Sequence, residues 1–438
     1  MSEADRYYAY LNALNKPFRK LAKLEFLQPD NTVAFTLGNG YKRGYQTQFD
    51  TRAFLQEGTL NVNLNNGQRR QADIKLANID EAFDYAVNKI WFGKKVKLSM
   101  GLVLPDGTDY YIPQGVFYFS NPQTIYNPSE RTSTYTLVDK WAYLDSSLFG
   151  TLDFSYVVNA GISTNIFNVI SSILRLSRFN YNATNIPEDM IDSTTPIFTT
   201  YYNGQTYKSS ESDGSISVDY PKTSVPYEIT EQTGGNFGNL ILSLNEIIAG
   251  LIGYDANGAL RIEPSQDDIN DSDKPILWEF NPANSKLLFG LTEQIKPEEV
   301  YNDVLCVGQG LTGYSVWGRA TNNDLRSDTN VKLIGRKTMY IDSANYWNAV
   351  QCRDLAEWKL KRSTILNKAV TLETAQMFHL SENRLISVVR TDKENAPTER
   401  HIIQSYSLPI GETGAMTINC TSVTDIPDFT LSISSGGE

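Results

Sequence analysis

Leu60-Asn61-Val62-Asn63-Leu64-Asn65-Asn66-Gly67-Gln68-Arg69-Arg70-Gln71-Ala72-Asp73-Ile74-Lys75-Leu76 places two alternating runs on either side of a turn. Leu60, Val62 and Leu64 share one face of a strand, and Ala72, Ile74 and Leu76 share one face of the next, because successive strand side chains point to opposite sides. Asn65-Asn66-Gly67 accepts the positive φ that a tight connection requires, so the stretch reads as an antiparallel hairpin. The same period of two recurs outward in Leu24/Phe26, Val33/Phe35/Leu37 and Val96/Leu98/Met100, with Pro105-Asp106-Gly107 as a further turn. A short helix over Glu3 to Leu14 precedes them, its Tyr7, Leu11 and Leu14 at helical spacing, and Asp80 to Ile90 is a second short helix or a loop. Residues 1–150 therefore read as an antiparallel sheet curled into a barrel or sandwich.

The period changes in residues 151–291, a mixed α/β middle region. Thr164 is placed to cap a helix with Ile166, Val169, Ile170, Ile173 and Leu174 on one face and Arg175 and Arg178 near its end. A second helix is expected over Leu240 to Leu251, then the turn Asp255-Ala256-Asn257-Gly258 and a strand at Leu260/Ile262. Between the helices, Tyr201 to Lys222 carries an Asn203-Gly204 hairpin signal and the exposed, mobile run Ser209 to Ser217. Pro264 to Pro275 is an acidic loop or linker. Residues 292–428 return to strands at Leu385 to Val389, Ile402 to Leu408 and Met416/Ile418/Cys420, with Thr391 to Glu399 as a polar connection. Their one helix begins near Ser343 and turns Ala349, Cys352, Leu355 and Ala356 inward. Residues 429–438 are expected as a flexible tail.

Composition narrows the function. At 438 residues the chain is long enough for two to four domains, and 25 Tyr with 19 Phe tilt it towards strands and away from an all-α fold. The fold class is therefore a β-rich α+β one. A net charge of -11 disfavours nucleic-acid binding, although DNA could pass through an acidic bore. Cys306, Cys352 and Cys420 are too few and too widely spaced for a disulfide framework or a metal knuckle, which fits assembly in a reducing cytoplasm. Leu240 to Ile252, the most apolar stretch, is too short to span a bilayer, and Met1 to Arg19 lacks the apolar core of a signal peptide.

Each candidate for chemistry has a plainer reading. His379 and His401 lack a triad context and read as satisfied histidines. Gly234-Gly235-Asn236-Phe237-Gly238 before a helix invites a phosphate-loop reading, but no Lys-Ser/Thr follows and no strand of the right spacing precedes it. Asp268, Asn270, Ser272 and Glu279 match positions one, three, five and twelve of a calcium loop, yet Asp273 stands where Gly should be and Pro275 interrupts the run. Tyr110, Tyr111, Trp141 and Tyr143 could form a sugar-stacking platform, but aromatics at strand spacing more often fill cores. No catalytic, cofactor-binding or metal-binding residue is assigned, no cofactor is expected, and the chain is read as a non-enzyme.

Asn88-Lys89-Ile90-Trp91-Phe92-Gly93, Lys95-Val96-Lys97-Leu98 and Gly101-Leu102-Val103-Leu104-Pro105-Asp106-Gly107 resemble the first domain of phage tail-hub (baseplate-hub) proteins. So do Ile112-Pro113-Gln114-Gly115-Val116-Phe117-Tyr118 and Asp139-Lys140-Trp141-Ala142-Tyr143-Leu144-Asp145. Leu251-Ile252-Gly253-Tyr254-Asp255 with Leu260-Arg261-Ile262-Glu263-Pro264 resembles the family's middle region. Cys352-Arg353-Asp354-Leu355-Ala356 and Ile403-Gln404-Ser405-Tyr406-Ser407-Leu408-Pro409 resemble its last domain. The resemblance implies two antiparallel, tail-tube-like β-barrel domains, residues 1–150 and 292–428, flanking the middle region. The first barrel would be open to completion by later chain. It further implies a homotrimer whose pseudo-sixfold ring joins the tail tube or a distal-tail ring to a tip, spike or fibre protein of the virion. The alternatives are another tail component, either a distal-tail ring or a receptor-binding module, and a cell-wall hydrolase.

Overall fold

The computed structural model describes residues 2–28, 31–38, 55–78, 94–127, 130–177, 206–210, 217–221, 223–225, 228–248, 250–263, 275–295, 297–310, 314–343, 346, 349–364, 368–390, 398–411, 413–423 and 430–436. The readings placed on Asp80 to Ile90, Asn203-Gly204 and most of Pro264 to Pro275 and Thr391 to Glu399 lie outside them.

The chain opens with α1 (Glu3–Ala13), closed by a capping box in which Ser2 and Asp5 satisfy each other's backbone N–H groups. Seven strands follow: β1 (Lys20–Leu27), β2 (Val33–Gly38), β3 (Leu55–Asn63), β4 (Arg70–Ala77), β5 (Lys95–Val103), β6 (Asp109–Asn127) and β7 (Glu130–Asp139). β3 and β4 form the hairpin predicted from their alternation, with Leu60 opposite Ala72 and Gly67 at φ +92 in its turn.

The middle region contains β8 (Tyr156–Val158), β9 (Gly161–Asn165), α2 (Ile166–Ser177), β10 (Thr206–Ser210), β11 (Ser217–Pro221), β12 (Ser224–Val225), β13 (Ile229–Glu231), α3 (Phe237–Ile247), β14 (Leu251–Tyr254) and β15 (Leu260–Glu263). Among the described residues its strands join in pairs, β8 with β13, β9 with β12, β10 with β11 and β14 with β15. The cap of α2 is Asn165 rather than Thr164: its Oδ1 accepts from the N–H of Phe167 at 3.0 Å and of Asn168 at 3.3 Å. α3 begins earlier than expected, capped by Asn236, and stops before Leu251, where Leu251–Tyr254 pairs as a strand. The buried faces of α2 and α3 pack with Trp141, Leu144, Ile252 and Ile262 into a core of their own. The run expected to be mobile is flanked by strands, because Thr206–Ser210 and Ser217–Pro221 pair antiparallel.

The last region comprises β16 (Ile276–Phe280), β17 (Leu288–Ile295), β18 (Asp303–Gln309), β19 (Ser315–Asn322), α4 (Val331–Ile334), β20 (Thr338–Ser343), α5 (Ala349–Ser363), β21 (Lys368–Thr374), β22 (Leu385–Val389), β23 (Thr398–Ile410), β24 (Met416–Ser422) and β25 (Leu431–Gly436). The position near Ser343, expected to open a helix, instead ends β20, whose residues are taken up by parallel pairing with β18. The helix follows as α5, with Cys352, Ala356 and Leu360 buried against β18 and β19.

Two expectations change at the level of topology. The strands of the first and last regions do not form separate closed barrels among the described residues. The seven strands of the first region and six of the last, β16, β17, β21, β22, β23 and β24, join in one 13-stranded sheet whose main path runs β17-β21-β24-β23-β3-β4-β7-β6-β5-β1-β2. The link is β23 against β3, in register from Ser405–Asn63 to Ile410–Gly58, so each covers an edge the other would leave bare. A single apolar core serves both, drawing Leu60, Ile74, Leu98 and Phe117 from one region and Val370, Leu372, Ile403 and Leu408 from the other. The chain after residue 430 is not a flexible tail over its described length: Leu431–Gly436 pairs antiparallel with β19, completing a four-stranded sheet β20-β18-β19-β25. The alternation is too sparse to notice: Leu431 packs on the small core under α5, Ile433 is 41% exposed, and serines fill most of the other positions.

Candidate functional site

The turn of the β3–β4 hairpin is where the three regions meet. Gly67 N–H donates to the carbonyl of Ile252 at 3.0 Å, and Asn66 Oδ1 accepts from the Ile252 N–H at 3.0 Å, fastening the turn to β14 of the middle region. The next two residues, Arg69 and Arg70, turn inward and are almost wholly buried. Their backbone N–H groups donate to Asp139 Oδ2 at 2.8 and 2.9 Å, while Asp139 Oδ1 accepts from Trp141 N–H at 3.0 Å. Arg70 then reaches into the last region, donating to Glu382 Oε2 at 2.7 Å and to Tyr406 Oη at 3.4 Å, and also to the Gln114 carbonyl at 3.0 Å. Arg69 lies 3.9 Å from Glu382 Oε1, its side chain flattened against Gly253, where a Cβ would stand 2.3 Å from Arg69 Cδ. Beside it, Arg384 pairs with buried Glu263 at 3.0 Å.

Electrostatics follow from burial. Desolvation pushes Glu382 up, and the charges of Arg70 and Arg69 outweigh it and hold the carboxyl below its ordinary value. For Asp139 desolvation wins, and its pKa is raised to about 6 even though three backbone N–H groups favour the anion. A buried ion pair of this kind adds little over an apolar replacement, but breaking one partner strands the other charge. The cluster therefore fixes geometry: it orients the middle region and the two halves of the sheet around one turn. Its carboxylates are all engaged with cations or backbone N–H groups, an arrangement suited to holding parts together rather than to proton transfer.

The residues singled out from sequence are not brought together. His379 is half-buried beneath α1, its Nδ1 3.1 Å from Tyr10 Oη and its ring edge-on to Trp278. Burial lowers its pKa to about 4, so the ring is neutral. His401 lies on β23, with Nδ1 3.2 Å from Ser422 Oγ. At Gly234 to Gly238 the helix start is filled from within: Phe237 N–H donates to Gly150, Gly238 N–H to Leu144, and Glu231 Oε1 accepts from Asn236 N–H. A carboxylate thus occupies the place an anion would take. Glu279 is described, hydrogen-bonded to Asn281 Nδ2 at 2.9 Å, whereas Asp268, Asn270 and Ser272 lie outside the described residues. Tyr110 packs on Tyr10 and Trp141 belongs to the middle core, while Tyr143 stacks between Tyr118 and Phe149, so these aromatics form no common platform. Cys306 and Cys352 share the small core under α5, and Cys420 lies in the large one. Among the described residues no group of three or more His, Cys, Asp or Glu is placed to hold a metal, and no helix is long and apolar enough to cross a membrane.

Sequence reading missed Arg69, Arg70, Glu382 and Arg384. Adjacent arginines beside a turn look like a solvated edge. Their burial is decided by Asp139 and Glu382, 70 and 312 positions away, and no local pattern encodes that separation.

No protein-family model and no curated protein matches the sequence. Solved structures do match the fold. The tail protein from Neisseria meningitidis MC58 superposes with a TM-score of 0.55 at 7% identity, covering 93% of this chain and 97% of that one. The 43 kDa tail protein of prophage MuSo2 from Shewanella oneidensis gives a TM-score of 0.51 at 11% identity, covering 92% and 98%. The chain has the fold of these phage-type tail proteins over nearly its whole length, strand-rich with a large antiparallel sheet.

Proposed function

We propose that this protein is a structural subunit of a phage-type tail, the hub at the tail's distal end, and that it works by assembling with copies of itself. The supporting observation is the extent of the fold match, which takes in 93% and 92% of this chain and 97% and 98% of the two tail proteins. In this reading three copies form a ring. The halves of the large sheet on either side of the β23–β3 seam act as the two related, barrel-like units of each copy, so the ring is pseudo-sixfold. It would join the tail tube or a distal-tail ring above to a tip, spike or fibre protein below, with DNA passing through the bore of the virion. The buried junction at Arg69 and Arg70 gives each copy the internal rigidity such a ring needs, because it ties both halves and the middle region to one turn.

The reading is tested by measuring the mass of the purified chain by light scattering, alone and with its neighbouring tail proteins. A trimer of the 49.2 kDa chain is the expected result. A persistent monomer in the presence of those partners contradicts it.

A further inference from the structure

The large sheet repeats itself. Its first-region strands pair in the order β1-β5-β6-β7-β4-β3, and its last-region strands in the order β16-β22-β23-β24-β21-β17. Along the chain, β1, β3, β4, β5, β6 and β7 thus correspond one by one to β16, β17, β21, β22, β23 and β24. The correspondence also fixes a register. Phe119, Leu137, Ala72 and Leu60 are successive partners across β6, β7, β4 and β3. Tyr406, Ile418, Leu372 and Leu291 form the same row across β23, β24, β21 and β17. Ser120-Asn121-Pro122 follows Phe119 as Ser407-Leu408-Pro409 follows Tyr406. The two units differ at one margin, where β1 runs antiparallel to β5 but β16 runs parallel to β22, and β2 has no counterpart.

The units meet at the seam. β22 takes one edge of β23 over residues 398–402, and β3, the end strand of the first unit, takes the same edge over residues 405–410. The equivalent edge in the first unit is open. β5 takes it over residues 109–118 of β6, and beyond them the side away from β7 holds no strand among the described residues. The equivalent of β3 is β17, which pairs with β21 alone among the described residues and carries the exposed Phe289. Each chain therefore joins one end strand to one long-strand edge internally and leaves a second pair of the same kind unjoined. Within the chain's own sheet β21, β24, β23, β3, β4 and β7 lie between those two, so a second copy is what brings them together. Unpaired edges are templates for another chain, and head-to-tail contacts between unlike surfaces build rings when the rotation closes.

We propose that β17 of one copy lies antiparallel along β6 of the next, beyond residue 118, as β3 lies along residues 405–410 of β23 within each chain. By the shared register Thr292 then stands opposite Ser120, as Asn61 stands opposite Ser407. The inference rests on the self-assembling reading above and names the strands through which it operates.

Cysteine cross-linking of the full chain tests it. Ser120→Cys and Thr292→Cys are made separately, mixed with the neighbouring tail proteins present, and treated with oxidised glutathione; the three native cysteines are buried and do not compete. The expected result is a disulfide-linked pair holding one copy of each variant, seen in the mixture and in neither variant alone, because the bond forms only where Cα atoms stand about 4.4–6.8 Å apart. Asn61→Cys/Ser407→Cys, at the seam within one chain, is the control and should close without joining copies. A control that stays reduced removes the template and overturns the proposal. A closed control and associated copies without the mixed pair overturn this interface and leave the hub reading standing. A chain that stays monomeric with its tail partners overturns both, the hub reading on its own mass measurement. Hydrogen exchange of the unsubstituted chain reads the same contact without any substitution: amides of β17 and of β6 beyond residue 118 should exchange more slowly on association, and unchanged exchange there overturns the pairing.

Discussion

At the scale of single residues, the buried charges are the sensitive points. Replacing Glu382 by Ala leaves the Arg70 guanidinium buried beside Arg69 without its carboxylate partner, and the expected loss is about 3–5 kcal/mol, read as a fall in denaturant midpoint. A loss under about 1 kcal/mol would mean the junction does not tie the regions together. Gly253 is a second such point, since a methyl group there has no space beside Arg69; Gly253→Ala should destabilise although its backbone is an ordinary strand. His379 gives a pH signature. Its folded pKa of about 4 lies below the ordinary 6.5, so the stability that depends on a neutral ring is present above pH 6.5 and lost as the pH falls towards 4. Asp139, raised to about 6, acts in the opposite sense, losing stability as the pH rises from about 4 to 6. The clean readout is therefore a difference: the stability gap between the unsubstituted chain and His379→Gln should shrink between pH 7 and 5, and a constant gap would contradict the burial of that ring.

At the scale of elements, strands and turns were the legible part. The alternation through Leu60 to Leu76 marked its hairpin because one face is core and the turn needs a positive φ at Gly67. Helix ends were legible only to within a few residues. Thr164 and Asn165 are both competent caps, and the choice of Asn165 follows from β9 continuing through residue 165. Asn165→Ala should cost about 1 kcal/mol, while Thr164→Ala should not, by thermal melting. β25 was hidden because a serine-rich strand with two apolar residues looks like a tail, and only β19 supplies the other half of its ladder. A chain ending at residue 429 should expose that edge and raise protease cleavage in residues 303–364 relative to the large sheet; equal cleavage would show that β25 contributes nothing to the lobe.

For the whole molecule, the sequence carried the class of fold through its period-two runs, but not which strands share a sheet. The pairing of β3 with β23 joins positions more than 340 residues apart, and it depends on two edges being complementary in the folded chain rather than on any local motif. The junction was illegible for the same reason. In the proposed ring of copies these features would act together: a continuous sheet fixed by the β3–β23 seam, and a middle region locked to it through Asn66, Gly67 and Arg69. The most direct measurement is a cryo-electron-microscopy reconstruction, without imposed symmetry, of tails that contain this chain. The account predicts three copies at the distal end, between the tube and the tip. Six copies there, or density confined to side fibres, would contradict it.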